Sequence, residues 1–319
     1  MLLHEDYPHT VPARAWLRWK ENYFWVFMDP ERDLCCLAHS TIEPTYERAF
    51  ASFTVLHKGR TLVSGKEVAM PAPFEHQKRL VLSGLTLNFL KPQTEFLIEF
   101  EDENVAAALT FTRRMHLFDF QACADVNPDW FSVSENTAFE RNSFRHQGQC
   151  MNAAGRVSFK TGEFAGTTLD VEGSGYRDHS WGMRNDQMTL DHNWSFFNFP
   201  SMGFHLMRVR NTVRPMNMTA EGYVARAEGN EAITALEIEN IGEGPEGMPQ
   251  KVVFRTTTYG GETFTLVADV GNAFARLPLH SQKPGAKVYL NVENMCHVRC
   301  EETGEEGLAN VEIGQLRDA

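Results

Sequence analysis

Turn signals recur about every ten residues along this chain, between short runs rich in Val, Phe, Thr and Leu, and that spacing leaves room for strands but little for helices. The pattern is clearest from residue 80. Leu80 to Phe89, Glu95 to Phe100 and Val105 to His116 read as strands, joined by a turn at Lys91-Pro92-Gln93 and an acidic turn over 101–104. Strands joined this closely form an antiparallel meander. Further on, Lys251 to Tyr259 and Glu262 to Val270 flank Gly260-Gly261, a two-residue connection suited to a primed hairpin turn with positive φ. Two later strands are expected at Ala286 to Val292 and Met295 to Arg299. The chain therefore reads as all-β, a sandwich or barrel with few short helices.

A length of 319 residues suggests two domains. Gly, Ser and Thr accumulate between Lys160 and Gly175, which places the boundary near residue 168, with domains over 1–168 and 169–319. No apolar run approaches the roughly 18 residues of a membrane helix, so no membrane span is expected. The start, Met-Leu-Leu followed by His4, Glu5 and Asp6, lacks the basic and apolar regions of a secretory signal, and a cytoplasmic location is expected. A formal net charge of -12 repels phosphate backbones, which argues against nucleic acid as a partner. The six cysteines lack the spacing of a disulfide framework and read as reduced thiols. Cys296-His297-x-x-Cys300 is the one grouping that hints at a metal, but no second ligand pair stands near it in the sequence, so no metal is expected.

One stretch breaks the strand pattern. Gly173-Ser-Gly-Tyr-Arg-Asp-His-Ser-Trp-Gly182 crowds ionisable and aromatic groups between glycines. Alternation along a strand puts Tyr176, Asp178 and Ser180 on one face and Arg177, His179 and Trp181 on the other, and neither set is an ordinary core stripe. The glycines suggest bends or close backbone approach. Chemistry, if the chain has any, is expected here.

Tyr176-Arg-Asp178-His179-Ser-Trp181-Gly182, followed by Asp191-His-Asn-Trp194-Ser195, resembles the Tyr-x-Asp-x-x-x-Gly and downstream Trp-Ser pattern of the carotenoid 1,2-hydratase (hydroxyneurosporene synthase) superfamily. The resemblance implies two lipocalin-like antiparallel β-barrel domains acting without metal or organic cofactor on a hydrophobic substrate. It also implies that Asp178 protonates the substrate. The sharp match covers residues 173 to 195. The hydratases carry a His-x-Trp pair upstream, where this chain has His146-Gln-Gly148: the His is in place and the Trp is not. That departure argues against a long polyene and towards another apolar or aromatic molecule.

The residues have their own logic beside the resemblance. An Asp starts near pKa ~3.9, so to deliver a proton at neutral pH it must be raised by burial or a nearby carboxylate. A salt bridge from Asp178 to Arg177 or Arg184 would hold it ionised instead, and both readings stay open. His179 suits a base or relay near neutral pH, and Tyr176 suits a hydrogen-bond donor to a developing oxyanion or to Asp178. Trp181 and Trp194 suit the walls of a pocket for a flat ligand, although core packing is the commoner fate of such residues, favoured for Trp194. Arg184 suits a bracing role. At the end of a first-domain strand, Arg114 and His116 share a face that either reaches a cavity or meets solvent.

The chain lacks the glycine-rich phosphate motifs, the nucleophile elbow and the His-Glu-x-x-His zinc motif, so nucleotide cofactors and serine hydrolysis lose support; that no cofactor of any kind is expected is what the resemblance implies. The expected activity is a cofactor-independent lyase or hydratase using acid-base catalysis, with Asp178, His179 and Tyr176 as catalytic residues. Trp181, Trp194, Arg184, His146, His116 and Arg114 would contact a hydrophobic or aromatic small molecule: an isoprenoid, a steroid, or a lignin-derived or polycyclic aromatic. An isomerase or cyclase would use the same groups. A non-catalytic carrier of an apolar ligand is the competing class, and a homo-oligomer stays open.

Overall fold

The structure, a computed structural model, describes residues 5–13, 19–126, 144–183, 190–211, 217–244, 247–277 and 288–317. Strands dominate, as the turn spacing requires. In chain order they are β1 (Trp19–Asp29), β2 (Leu34–Glu43), β3 (Arg48–His57), β4 (Arg60–Ala69), β5 (Arg79–Leu82), β6 (Leu85–Lys91), β7 (Glu95–Glu101), β8 (Val105–Arg113) and a two-residue β9 (Phe118–Asp119). A six-residue helix α1 (Gln121–Val126) follows. Then come β10 (Phe144–Phe159), β11 (Thr168–Met183), β12 (Leu190–Asn198), β13 (Gly203–Asn211), β14 (Asn217–Arg226), β15 (Gly229–Ile241), β16 (Lys251–Thr258), β17 (Thr263–Leu277), β18 (Val288–Cys300) and β19 (Glu306–Arg317).

The described residues divide into two compact units, one drawn from 5–57, 62–117 and 144–183, the other from 58–61, 118–126 and the described part of 190–317. The first unit is one long, nearly closed antiparallel sheet in the order β4-β3-β2-β1-β11-β10-β8-β7-β6-β5. Its concave core interleaves Trp25, Phe27, Phe53, Phe96, Phe100 and Phe111. Phe53 stacks on Phe100 with ring centroids 4.8 Å apart. The second unit closes β12 to β19 into an eight-stranded barrel packed with Phe197, Phe204, Phe254, Leu266 and Val311. Both units are lipocalin-like, and α1 lies against β14 and β15 of the second.

The motif strand β11 pairs with β1 and β10 inside the first sheet, so it belongs to the first unit instead of opening a second domain at residue 169. The Gly, Ser and Thr that suggested a boundary there form the hairpin between β10 and β11, where Gly162 and Gly166 take positive φ of 77° and 82°. Three further details differ from the sequence reading. Leu80 to Phe89 is a hairpin, β5 and β6, turning at Ser83-Gly84 with φ of 44° and 99°. The turn at Gly260-Gly261 has three residues, with positive φ on Gly261 alone and Gly261 N donating to Thr258 O at 3.0 Å, a bulged turn in place of the primed one. Glu293-Asn294, expected as a break, lies inside the continuous β18.

All six cysteines are buried and unbridged. Cys296 and Cys300 point into the barrel core while His297 faces outward and is exposed, so that grouping does not converge. Among the described residues no helix is long and apolar enough to cross a membrane.

Candidate functional site

From Gly175 to Met183 every residue of β11 is buried, so both of its faces are covered. Antiparallel pairing fixes what flanks each side chain. Asp178 stands between Phe24 of β1 and Gly148 of β10, and His179 stands between Tyr23 and Gln147. Close backbone approach at the start of the strand is real: a Cβ on Gly173 would collide with the Met28 carbonyl, and one on Gly175 would meet the Phe111 ring at 2.9 Å.

On the first face, His146 of β10 is the diagonal neighbour of Asp178, since its direct partner is Ser180. Its Nε2 makes a short hydrogen bond to Asp178 Oδ2, and both side chains are more than nine-tenths buried. Tyr176, fully buried, lies two residues along the same face. Where the hydratase pattern carries Trp, Gly148 stands directly across from Asp178 and adds no side chain beside its carboxyl.

The other face carries a denser polar network. Arg177 is 1% exposed, and its Nη1 lies 2.7 Å from Asp6 Oδ1, close but without hydrogen-bond alignment. Its Nε donates to Gln149 Oε1 at 2.9 Å and its guanidinium lies over Phe96 at 4.8 Å. Strand alternation thus gives Arg177 to Asp6, and the salt bridge to Asp178 weighed from sequence does not form. His179 Nε2 donates to Glu21 Oε1 at 2.7 Å, and His9 Nδ1 reaches the same oxygen at 2.9 Å. Burial pushes the Glu21 carboxyl up, but the hydrogen bonds and charges of the two histidines outweigh it and leave it at about 2. Burial lowers His179, against the pull of Glu21. The rings form a pile, with Tyr23 stacked on His179 and His9 on Trp181, each pair at 4.2 Å.

The predicted site residues are therefore sorted. Tyr176, Asp178 and His146 share one face; His179 and Trp181 lie on the opposite face and are not assembled with Asp178. Arg114 is half-buried just past the end of β8 and His116 is exposed, both beyond the strand that was expected to carry them. Trp194 is buried on β12 of the second unit, 4.6 Å from the His205 ring. Arg184 lies outside the described residues.

The second unit holds a cluster the sequence reading missed. Glu293 and Glu312 stand directly opposite each other on β18 and β19 and share a hydrogen bond. Asn310 Nδ2 donates to Glu293 Oε2 at 2.7 Å, and His192 Nε2 donates to Glu312 Oε1 at 2.5 Å. Burial first, and the neighbouring Glu312 charge second, push Glu293 well above the usual carboxylate range.

The chain belongs to the family described as a domain of unknown function (DUF7064), which matches residues 3–317. No curated protein matches the sequence. Several solved structures share the fold at low identity. One is a protein described as an AttH from Nitrosomonas europaea, with TM-score 0.67, 12% identity, 93% of this chain and 92% of that chain covered. A second is kievitone hydratase from Nectria haematococca, with TM-score 0.65, 12% identity, and coverage of 99% and 92%. A third is CghA with Sch210972, with TM-score 0.64, 11% identity, and coverage of 95% and 89%.

Proposed function

We propose that this protein is a cofactor-independent lyase of the hydratase kind, acting on a hydrophobic or aromatic small molecule, with the Asp178–His146 couple as its acid-base group. The observation that carries the reading is the buried hydrogen bond between Asp178 Oδ2 and His146 Nε2, with Tyr176 on the same strand face. One proton shared between a carboxylate and an imidazole keeps the couple net neutral, which lessens the penalty of burying it. Such a couple can give a proton and take one back without any other reagent.

In the hydration direction the couple delivers its proton to one carbon of a double bond. Water adds its oxygen to the other carbon, and the proton that water sheds returns to the couple. Dehydration runs the same steps backwards. Tyr176, at 0% exposure, positions the carboxyl from the neighbouring pleat. His179, expected as catalytic, is tied to Glu21 on the other face and is left out of this mechanism. Support in kind comes from a structural relative that is by name a hydratase, and from CghA with Sch210972 on the same fold. Isomerisation needs the same give and take of one proton without the water.

The test is turnover of isoprenoid, steroid and polycyclic aromatic substrates by wild type and Asp178→Asn, read by mass spectrometry. A gain or loss of the mass of water with wild type, and binding without conversion by Asp178→Asn, support the reading. Equal activity of the two proteins overturns it, and binding with no conversion by either makes the protein a carrier.

A further inference from the structure

We infer that His9, Glu21 and His179 form a binding site for a divalent transition-metal ion of the zinc type, which fastens the segment over residues 5–13 to the first sheet. This goes beyond the proposed chemistry and departs from the sequence-level expectation of no metal. The three side chains come from the N-terminal segment, β1 and β11, and their ligand atoms all lie within 4.8 Å of one another. Two imidazole nitrogens and a carboxylate oxygen are a donor set that suits zinc and its first-row neighbours.

The geometry is close to what such an ion asks for. Tetrahedral bonds of about 2.0 Å set ligand atoms roughly 3.3 Å apart. The nitrogens stand 2.9 and 2.7 Å from Glu21 Oε1, so a widening of a few tenths of an ångström admits the ion in place of the hydrogen-bonding protons. The ring planes are already set by stacking: His9 on Trp181 at 10° and His179 on Tyr23 at 13°. Glu21 is steadied from behind, where its Oε2 accepts from Trp19 Nε1 at 3.4 Å and from the His9 backbone N–H at 3.3 Å.

A second, independent observation concerns protons. A neutral histidine that ligates through Nε2 must carry its proton on Nδ1, and that N–H needs an acceptor. His179 Nδ1 is buried without a hydrogen-bond partner, and so is Oε1 of Gln147, the residue directly across from it on β10. Metal binding gives each of these two unmatched atoms the other as its natural partner: Nδ1–H to donate, the amide oxygen to accept. His9, with 19% of its side chain exposed, supplies the route in from solvent.

Calorimetric titration of chelator-treated full-length protein with Zn²⁺ tests the site. One ion per chain is expected, with a Kd at or below micromolar. His9→Ala and Glu21→Gln should each weaken binding at least 100-fold, and Gln147→Leu about tenfold, the usual reach of a residue that orients a ligand. Because Glu21 is buried and its variant can lose the fold, the partly exposed His9 decides: zinc should raise the melting temperature of wild type and leave that of His9→Ala unmoved. Binding by wild type that is no tighter than by His9→Ala, or absent, overturns the site. None of these readouts uses catalysis, so the outcome is independent of the hydratase reading.

Discussion

The two faces of β11 are built from adjacent residues and are equally buried, yet they are organised in opposite ways. On one, Arg177, His179 and Trp181 are each held by two or more neighbours: Arg177 by Asp6, Gln149 and Phe96, His179 by Glu21, Tyr23 and Trp181. On the other, Asp178 is hydrogen-bonded to His146 and faces a glycine across the strand pair. A densely tied set of charges stabilises one geometry and resists proton exchange. Under the proposed function, the odd-numbered face serves stability and the even-numbered face carries the chemistry.

The largest effect that would break this division is on turnover. Asp178→Asn should lower kcat about 10²–10⁴-fold, the usual contribution of a positioned acid-base group, while leaving the denaturation midpoint close to wild type. A large loss of stability with activity intact would assign Asp178 to the scaffold. Arg177→Met probes the opposite face. Removing one partner of a buried ion pair leaves Asp6 uncompensated, so a destabilisation of about 3–5 kcal/mol is expected by chemical denaturation. A change under about 1 kcal/mol would show that Asp6 finds relief elsewhere.

Acid titration sharpens the same contrast. Glu21 sits at about 2 in the folded protein against 4.5 when unfolded, so the stability it adds is complete above pH 4.5 and is lost as pH falls towards 2. His179 is lowered by burial, so the unfolded chain takes up protons more readily below its ordinary 6.5, and stability declines there too as pH falls. The two effects run the same way. In metal-free protein, stability should drop from about pH 6.5 downward, and Glu21→Gln should flatten the lower limb, worth on the order of 3 kcal/mol for a shift of this size. A wild-type profile flat from pH 7 to pH 3 would contradict the buried ionised Glu21.

Much of the fold was legible in the sequence because turn residues and strand alternation are local signals. The hairpins around Gln93 and Gly261 follow directly from their turn residues. The separation of Asp178 from Arg177 also follows from a period of two, although their closeness in sequence invites a shared role. What was not legible depends on partners far along the chain. Nothing in the spacing announces that His9 and Glu21 meet His179, or that His146 lies diagonal to Asp178, since both depend on the register of β1 and β10 against β11. Ser83-Gly84 was a visible turn dipeptide inside an apolar run that masked it. Glu293 was hidden by its own polarity, because a Glu-Asn pair in a strand reads as a break unless a partner such as Glu312 is known to stand across from it.

The smallest effect expected carries the comparison from β11 to the second barrel, where Glu293 reverses the behaviour of Glu21. Glu21 is buried against histidines and stays ionised; Glu293 is buried against Glu312 and stays protonated well above the usual range. A raised carboxyl favours folding below its ordinary 4.5 and penalises it as pH rises from there towards its folded-state value, because the unfolded chain ionises first. Glu293→Gln copies the neutral acid in shape and removes that penalty. The variant should match wild type within about 1 kcal/mol at pH 5 and gain on it at pH 8, measured as urea midpoints at both pH values. Relative to the variant, wild type should therefore lose ground from pH 5 to pH 8. A variant destabilised by more than about 2 kcal/mol at both pH values would mean that Glu293 is held as an anion, and that the two glutamates differ in surroundings but not in charge.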